Sequence, residues 1–194
     1  MEKENIIQFF DKLASDWDAN AVHDEVKINR ILDYAQVSEG VRVLDVACGT
    51  GILMPDYLVR KVNKVTGVDI SAAMIGIAQK KFTDCRIELI HGDIEEMDFP
   101  GDFDCCMVYN AFPHFPYPGR LIEKLSAMLA EKGRLTIAHG MSREKINAHH
   151  SGSASKVSIG LMEENELAFL MQNFLQVDTV VADQDIYVVS GTRQ

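Results

Sequence analysis

The chain has 194 residues, 47% of them hydrophobic and 25% charged, with a formal net charge of −10. Length and balance fit one globular domain with a real core and leave little room for a second. The acidic field repels phosphate backbones and anionic bilayers, which argues against nucleic acid and membrane as partners.

In chain order, Met1-Glu2-Lys3-Glu4-Asn5 lacks the basic-then-apolar pattern of a secretory signal. No apolar run approaches the roughly 18 residues that span a bilayer. Residues 2–17 and 24–35 read as two helices ahead of the first strand. Residues 41–47, 65–70, 86–90, 103–109 and 134–138 read as buried strands, because they are near-continuously apolar and partly β-branched. Ser71 reads as the N-cap of a helix over 72–82. Residues 121–130 place Leu121, Ile122, Leu125, Met128 and Leu129 on one helix face, with Gly133 after its end. A polar, histidine-bearing stretch follows Ala138. Ser151-Gly152-Ser153-Ala154-Ser155 then reads as a flexible loop. Residues 163–173 form a further helix, and the β-rich runs 174–181 and 186–190 are close enough to make an antiparallel hairpin. Alternating strands and helices predict an α/β domain with a mostly parallel sheet. The four cysteines, Cys48, Cys85, Cys105 and Cys106, show no C-x-x-C spacing. Neither a disulfide framework nor a zinc cluster is expected, and a reducing cytoplasm is the simplest setting.

Four segments carry chemistry. The first is Val43-Leu44-Asp45-Val46-Ala47-Cys48-Gly49-Thr50-Gly51, a strand running into a glycine turn. Glycine is needed where backbone turns tightly and passes close to a ligand, and free N–H groups there can hold a polar group. The second is Asp69, about 20 residues on, an acid at the end of a second strand that can accept ribose hydroxyls. The third is His91-Gly92-Asp93-Ile94, where a carboxylate can accept from an exocyclic amine; Asp93 reads equally as a turn or cap residue. The fourth is a strand ending in Tyr109-Asn110-Ala111-Phe112. All four fall at carboxyl ends of strands, where open α/β sheets bind ligands. Met54 stands where a dinucleotide loop has its third glycine, which weakens a dinucleotide reading.

Together these segments resemble the class I S-adenosylmethionine-dependent methyltransferases of small-molecule type. Asp45-Val46-Ala47-Cys48-Gly49-Thr50-Gly51 looks like the first motif, with Ala47 for the more usual glycine. Asp69 matches the ribose acid, Gly92-Asp93-Ile94 the adenine segment, and Asn110-Ala111-Phe112 the segment at the methionine part of the cofactor. Phe9-Phe10-Asp11-Lys12-Leu13-Ala14-Ser15-Asp16-Trp17-Asp18 is similar to a family opening whose helix closes the site. The resemblance implies a Rossmann-like seven-stranded sheet of order 3-2-1-4-5-7-6, strand 7 antiparallel, with helices on both faces. It implies one domain over 1–194, with a helical cap at 1–36 and an acceptor-side insert at 139–160. The implied cofactor is S-adenosyl-L-methionine, lined by Asp45, Ala47, Cys48, Gly49, Gly51, Asp69, Ile70, Met74, Gly92, Asp93, Ile94, Asn110, Ala111 and Phe112, with Phe10 and Trp17 as seals or ordinary core residues.

Methyl transfer by in-line displacement depends mainly on alignment, so no catalytic residue is guaranteed. A base is needed only if the acceptor must lose a proton; His114, His139 and Tyr109 are the candidates. His139, His149 and His150 are candidates for a metal, or exposed polar residues on a helix. Two other functions stay open: a nucleotide-dependent oxidoreductase, and a non-catalytic module that binds S-adenosylmethionine or S-adenosylhomocysteine. The acceptor is expected to be a small molecule.

Overall fold

Successive strand residues point to opposite faces of a sheet, and β4 (Phe103–Tyr109) is apolar on both. Cys105, Met107 and Tyr109 join one buried cluster with Val43, Ile28 and Tyr57, whereas Cys106 and Val108 join another with Leu44, Leu121 and Leu125. Burying each of the larger side chains contributes about 1.5–3 kcal/mol, so the sheet must be covered on both sides.

A computed structural model describes residues 2–150 and 156–194. Seven strands lie in the order β3-β2-β1-β4-β5-β7-β6, as expected. β1 (Arg42–Val46), β2 (Lys64–Asp69), β3 (Ile87–His91), β4 and β5 (Leu129–His139) run parallel. β7 (Tyr187–Thr192) is antiparallel to both β5 and β6 (Gln176–Ala182). Residues of α2 (Glu25–Tyr34) and α3 (Met54–Val59) fill the cluster on one face, and those of α5 (Pro118–Ala127) and α7 (Glu164–Met171) the other. α1 (Lys3–Asn20), α4 (Ala72–Lys81), α6 (Arg143–His150) and a 3-10 turn at Phe112–His114 complete the elements of the described residues. The Ser/Gly run expected as a loop at 151–155 lies outside the described residues.

Three expectations change. β3 is an outer edge and none of its residues is fully buried, so it is not a strand covered on both faces. The helix expected over 121–130 instead starts at Pro118, with proline in the first turn where its missing N–H costs nothing, and stops at Ala127. Leu129 and Ala130 belong to β5, because Leu129 pairs with Phe103 and Arg193 donates to the Ala127 and Leu129 carbonyls. Gly133 therefore does not end a helix. It lies inside β5, where a Cβ would sit 2.6 Å from the Phe103 carbonyl oxygen.

The turn after β1 depends on left-handed backbone. Ala47, Gly49 and Gly51 have φ of 54°, 57° and 86°. At Gly51 a Cβ would also lie 2.6 Å from the Phe82 ring. The absent third glycine is compensated on the strand. Met54 packs against β2, and there Gly67 has no side chain: a Cβ on Gly67 would come within 3.0 Å of Met54 Cε and of Cys48 Sγ. The close approach is achieved with the large residue on the helix and the small one on the strand.

Candidate functional site

The carboxyl ends of β1 to β5 open onto one cavity of about 890 Å³. That is near the upper end for a small-molecule site, roughly 300–1,000 Å³. Its floor comes from the turn after β1: Asp45, Ala47, Cys48 and Gly49 line it. Gly49 is left-handed and open to the cavity. Its Cβ would meet only Trp17 Nε1, at 3.9 Å, so a side chain would project into the cavity.

Asp69, at the end of β2, also lines the cavity and is almost fully buried. One carboxylate oxygen accepts from Gly49 N at 2.8 Å and the other from Ser71 N at 2.8 Å. The acid thus ties the glycine turn to the start of α4. Burial pushes its carboxyl above the usual carboxylate range, against the pull of these two N–H groups. Ser71 caps α4 as expected, accepting from Met74 N at 3.1 Å. Ile70 and Met74 line the cavity beside it.

After β3, Gly92, Asp93 and Ile94 line the same space. Asp93 does serve its turn, accepting from Glu95 N at 2.9 Å, and it also pairs with Lys3 of α1. After β4, Asn110 and Ala111 reach the cavity. Asn110 is left-handed, with φ 54°, and its Oδ1 accepts from Gly140 N at 3.0 Å, linking the ends of β4 and β5. Tyr109 lines the cavity too, and Gly140 makes room for it, since a Cβ there would fall 2.7 Å from the Tyr109 hydroxyl.

α1 roofs the cavity with Phe10 and Trp17, whose rings meet edge to face at 5.7 Å. The anchors of this roof were not read from the sequence. Asp11 accepts from Ser71 Oγ at 2.5 Å and Ala73 N at 3.2 Å. Asp18 accepts from Thr50 Oγ1 at 2.5 Å and from Lys81 at 2.8 Å. Their spacing of two helix turns was the available signal, because it puts both acids on one face.

Three candidates lie elsewhere. Gly51 and Phe112 do not line the cavity: Gly51 packs on Phe82 and Met54, and Phe112 is fully buried in the core. His139 is fully buried and packs edge-on to Tyr187 at 6.1 Å, outside the lining. The alternation of β5 turns it away from the site. Of the proposed bases, His114 and Tyr109 remain at the cavity. His114 Nδ1 lies 2.6 Å from the Val157 carbonyl; a carbonyl only accepts, so Nδ1 carries a proton. Burial raises the Tyr109 hydroxyl above its usual range, and it stays protonated at neutral pH. Among the described residues no three His, Cys, Asp or Glu side chains are gathered to hold a metal. The side chains of His149 and His150 lie outside the described residues.

Asp45 is the electrostatic oddity. Burial first, and the neighbouring Asp69 charge second, push its carboxyl up to about 8. The same causes keep the Cys48 thiol protonated and inert. Because the folded state raises the Asp45 value, its neutral form stabilises the fold at low pH, and that contribution is lost as pH rises from about 4 to about 8. Asp45→Asn is therefore expected to melt several degrees above the unliganded wild type at pH 9 and close to it at pH 4. Melting curves across that range check this, and a difference independent of pH would show that Asp45 is ionised throughout.

A family model described as a methyltransferase domain matches residues 43–133. The malonyl-[acyl-carrier protein] O-methyltransferase of Priestia megaterium is 29% identical over 173 residues, covering 85% of this chain and 62% of that protein. The chain thus spans under two thirds of that relative's length. Among solved structures, a putative methyltransferase crystallised with the Haloferax volcanii Trm112 activator superposes with a TM-score of 0.80 at 16% identity, covering 99% of this chain and 97% of that one. The N-methyltransferase NodS of Bradyrhizobium japonicum, in complex with S-adenosyl-L-homocysteine, gives 0.73 at 16% identity, covering 97% and 98%. Sheet order, strand-end cavity and sequence relatives all support a class I S-adenosylmethionine-dependent methyltransferase.

Proposed function

We propose that this chain transfers a methyl group from S-adenosylmethionine to a small-molecule acceptor, with residues 1–194 acting as one domain, 1–36 as a cap and 139–160 as the acceptor-side insert. The observation that carries the reading is the convergence of Gly49, Asp69, Asp93 and Asn110, from four strand ends, on one cavity under Phe10 and Trp17. Two features fit the cofactor. Gly49 leaves a cradle that a Cβ would fill. Asp45, buried and without an ion pair among the described residues, fits the amino group of the methionine part, which would hold the carboxylate ionised.

When bound, the cofactor supplies an electrophilic methyl group on a sulfonium. The rest is done by the chain. Asp69 keeps unused lone pairs on both oxygens and receives the ribose hydroxyls. Asp93 and its neighbours receive the adenine. Ala47, Cys48, Gly49 and Asn110 shape the space for the methionine part. Phe10 and Trp17 exclude water, which strengthens polar contacts inside. Tyr109 and His114 line the same cavity; His114 is the candidate base when the acceptor is a hydroxyl or amine. A carboxylate acceptor needs no base.

Three buried free thiols, Cys48, Cys105 and Cys106, suit a reducing compartment, and we place the protein in the cytoplasm. Among the described residues no helix is long and apolar enough to cross a membrane.

The test is thermal stability with S-adenosylmethionine and S-adenosylhomocysteine, with NAD and NADP as controls. Ligand at about 100 times its Kd stabilises the native state by about 2.7 kcal/mol. The single tryptophan, Trp17, lines the cavity and offers a second readout. A shift with the adenosyl ligands alone supports the reading. A shift with a nicotinamide cofactor instead points to the oxidoreductase alternative. Binding without methyl transfer to any acceptor points to a non-catalytic module.

A further inference from the structure

The acceptor end of the cavity has an uneven charge balance. Three lysines line the cavity. Lys3 is paired with Asp93 and Glu96. Lys27 is held between Asp185 at 3.2 Å and Asp24 at 3.9 Å. Lys145, on α6, donates to the Gln184 carbonyl at 3.1 Å, and among the described residues it forms no ion pair. An ammonium has three N–H donors, so this contact leaves Lys145 with donors to offer. Two acids of the turn beside it are paired. Asp183 is taken by Arg30 at 2.9 Å and Asp185 by Lys27. Lys145 also lines a second groove with Arg143, Glu144, Glu164 and Asp183, and among the described residues none of these acids reaches ion-pair distance of it.

Lys27 and Lys145 both reach the turn between β6 and β7, at Asp185 and Gln184, so the two ammonium groups mark one rim. Apolar side chains stand open beside them. Met141, 38% exposed, lines the cavity shortly before Lys145 in sequence, and Val22, 80% exposed, lines it from the connection between α1 and α2; Ile146 adds only a buried patch of wall. Apolar groups left in water around a cavity mouth mark a surface that a ligand covers.

We infer that the acceptor is amphipathic, with an apolar body lying on Met141 and Val22 and a carboxylate held at the rim by Lys145. The inference rests on the proposed methyltransferase reading and narrows its acceptor class. Lys145 is exposed, so removing its charge leaves the fold intact and alters only what the rim recognises.

The test uses protein saturated with S-adenosylhomocysteine, titrated calorimetrically with octanoate and 3-phenylpropanoate and with their methyl esters. The wild type, Lys145→Met and Lys80→Met are compared; Lys80 is exposed on α4, and its loss changes net charge equally. The carboxylates are expected to bind wild type about tenfold tighter than the esters, the low end for a hydrogen bond to a charged group. Lys145→Met erases that preference and Lys80→Met keeps it. The inference is overturned if wild type shows no preference or binds neither carboxylate, if Lys145→Met retains the preference, or if Lys80→Met loses it equally. Binding of S-adenosylhomocysteine is measured first in each protein. If it is absent from wild type, the cofactor reading itself has failed; if present without a carboxylate preference, only the acceptor inference has.

Discussion

Asp69→Ala is expected to abolish measurable S-adenosylhomocysteine binding and to lower the melting temperature of the unliganded protein. The carboxylate accepts from Gly49 N and Ser71 N. Each buried N–H left without an acceptor costs about 1–3 kcal/mol. Relief of the buried carboxyl's own desolvation offsets part of this, because Asp69 sits above its usual pKa. The stability loss is therefore moderate, whereas the loss of ligand affinity is not offset: the variant loses the ribose acceptor and the anchor of the Gly49 turn together. Asp69→Asn keeps one acceptor oxygen and is expected to fall between. Titration followed by Trp17 fluorescence and calorimetric melting measure both. An alanine variant that binds within about tenfold of wild type, about 1.4 kcal/mol, would remove Asp69 from the site.

Gly67→Val is the second large effect. A Cβ at this position in β2 meets Leu89 at 2.9 Å, Cys48 Sγ at 3.0 Å and Met54 Cε at 3.0 Å. Overpacking of this kind costs about 1–3 kcal/mol. The push also falls on Cys48 in the glycine turn, so ligand affinity drops along with stability. If the large residue on α3 has simply changed places with the small one on β2, Met54→Ala makes room for the valine. Met54→Ala alone costs about 2–5 kcal/mol by leaving a cavity. The double variant is expected to be more stable than the sum of the two losses predicts by more than about 1 kcal/mol. Additive losses in denaturant melts would show that Met54 and Gly67 do not share this space.

Much of the site was legible because the glycine turn and Asp69 are local features. A strand, a turn needing left-handed backbone and an acid at the next strand's end occupy fixed places in sequence, and parallel pairing brings their ends together. The β4 boundaries and the Ser71 cap follow from the same local chemistry. The α5 boundary was not legible. The apolar spacing of 121–130 continues through Leu129, and only the pairing of Leu129 with Phe103 turns those residues from helix to strand. Asp11 and Asp18 stand in the segment that resembles a family opening, but nothing local names their partners, because Ser71, Thr50 and Lys81 are remote in sequence.

The sequence by itself determined the alternation of strands and helices, the apolar faces that force a covered parallel sheet, and the turn chemistry that opens a site at its carboxyl edge. Those are set by side-chain period, by glycine and by capping, which act within a few residues. Tertiary structure decided which side chains reach the cavity. His139 was a fair candidate by position, but β5 alternation buries it against Tyr187 of β7. Phe112 was drawn into the core. Lys145 gained its place at the rim from the turn between β6 and β7. Each outcome depends on contacts between segments far apart in the chain, which local periodicity does not encode.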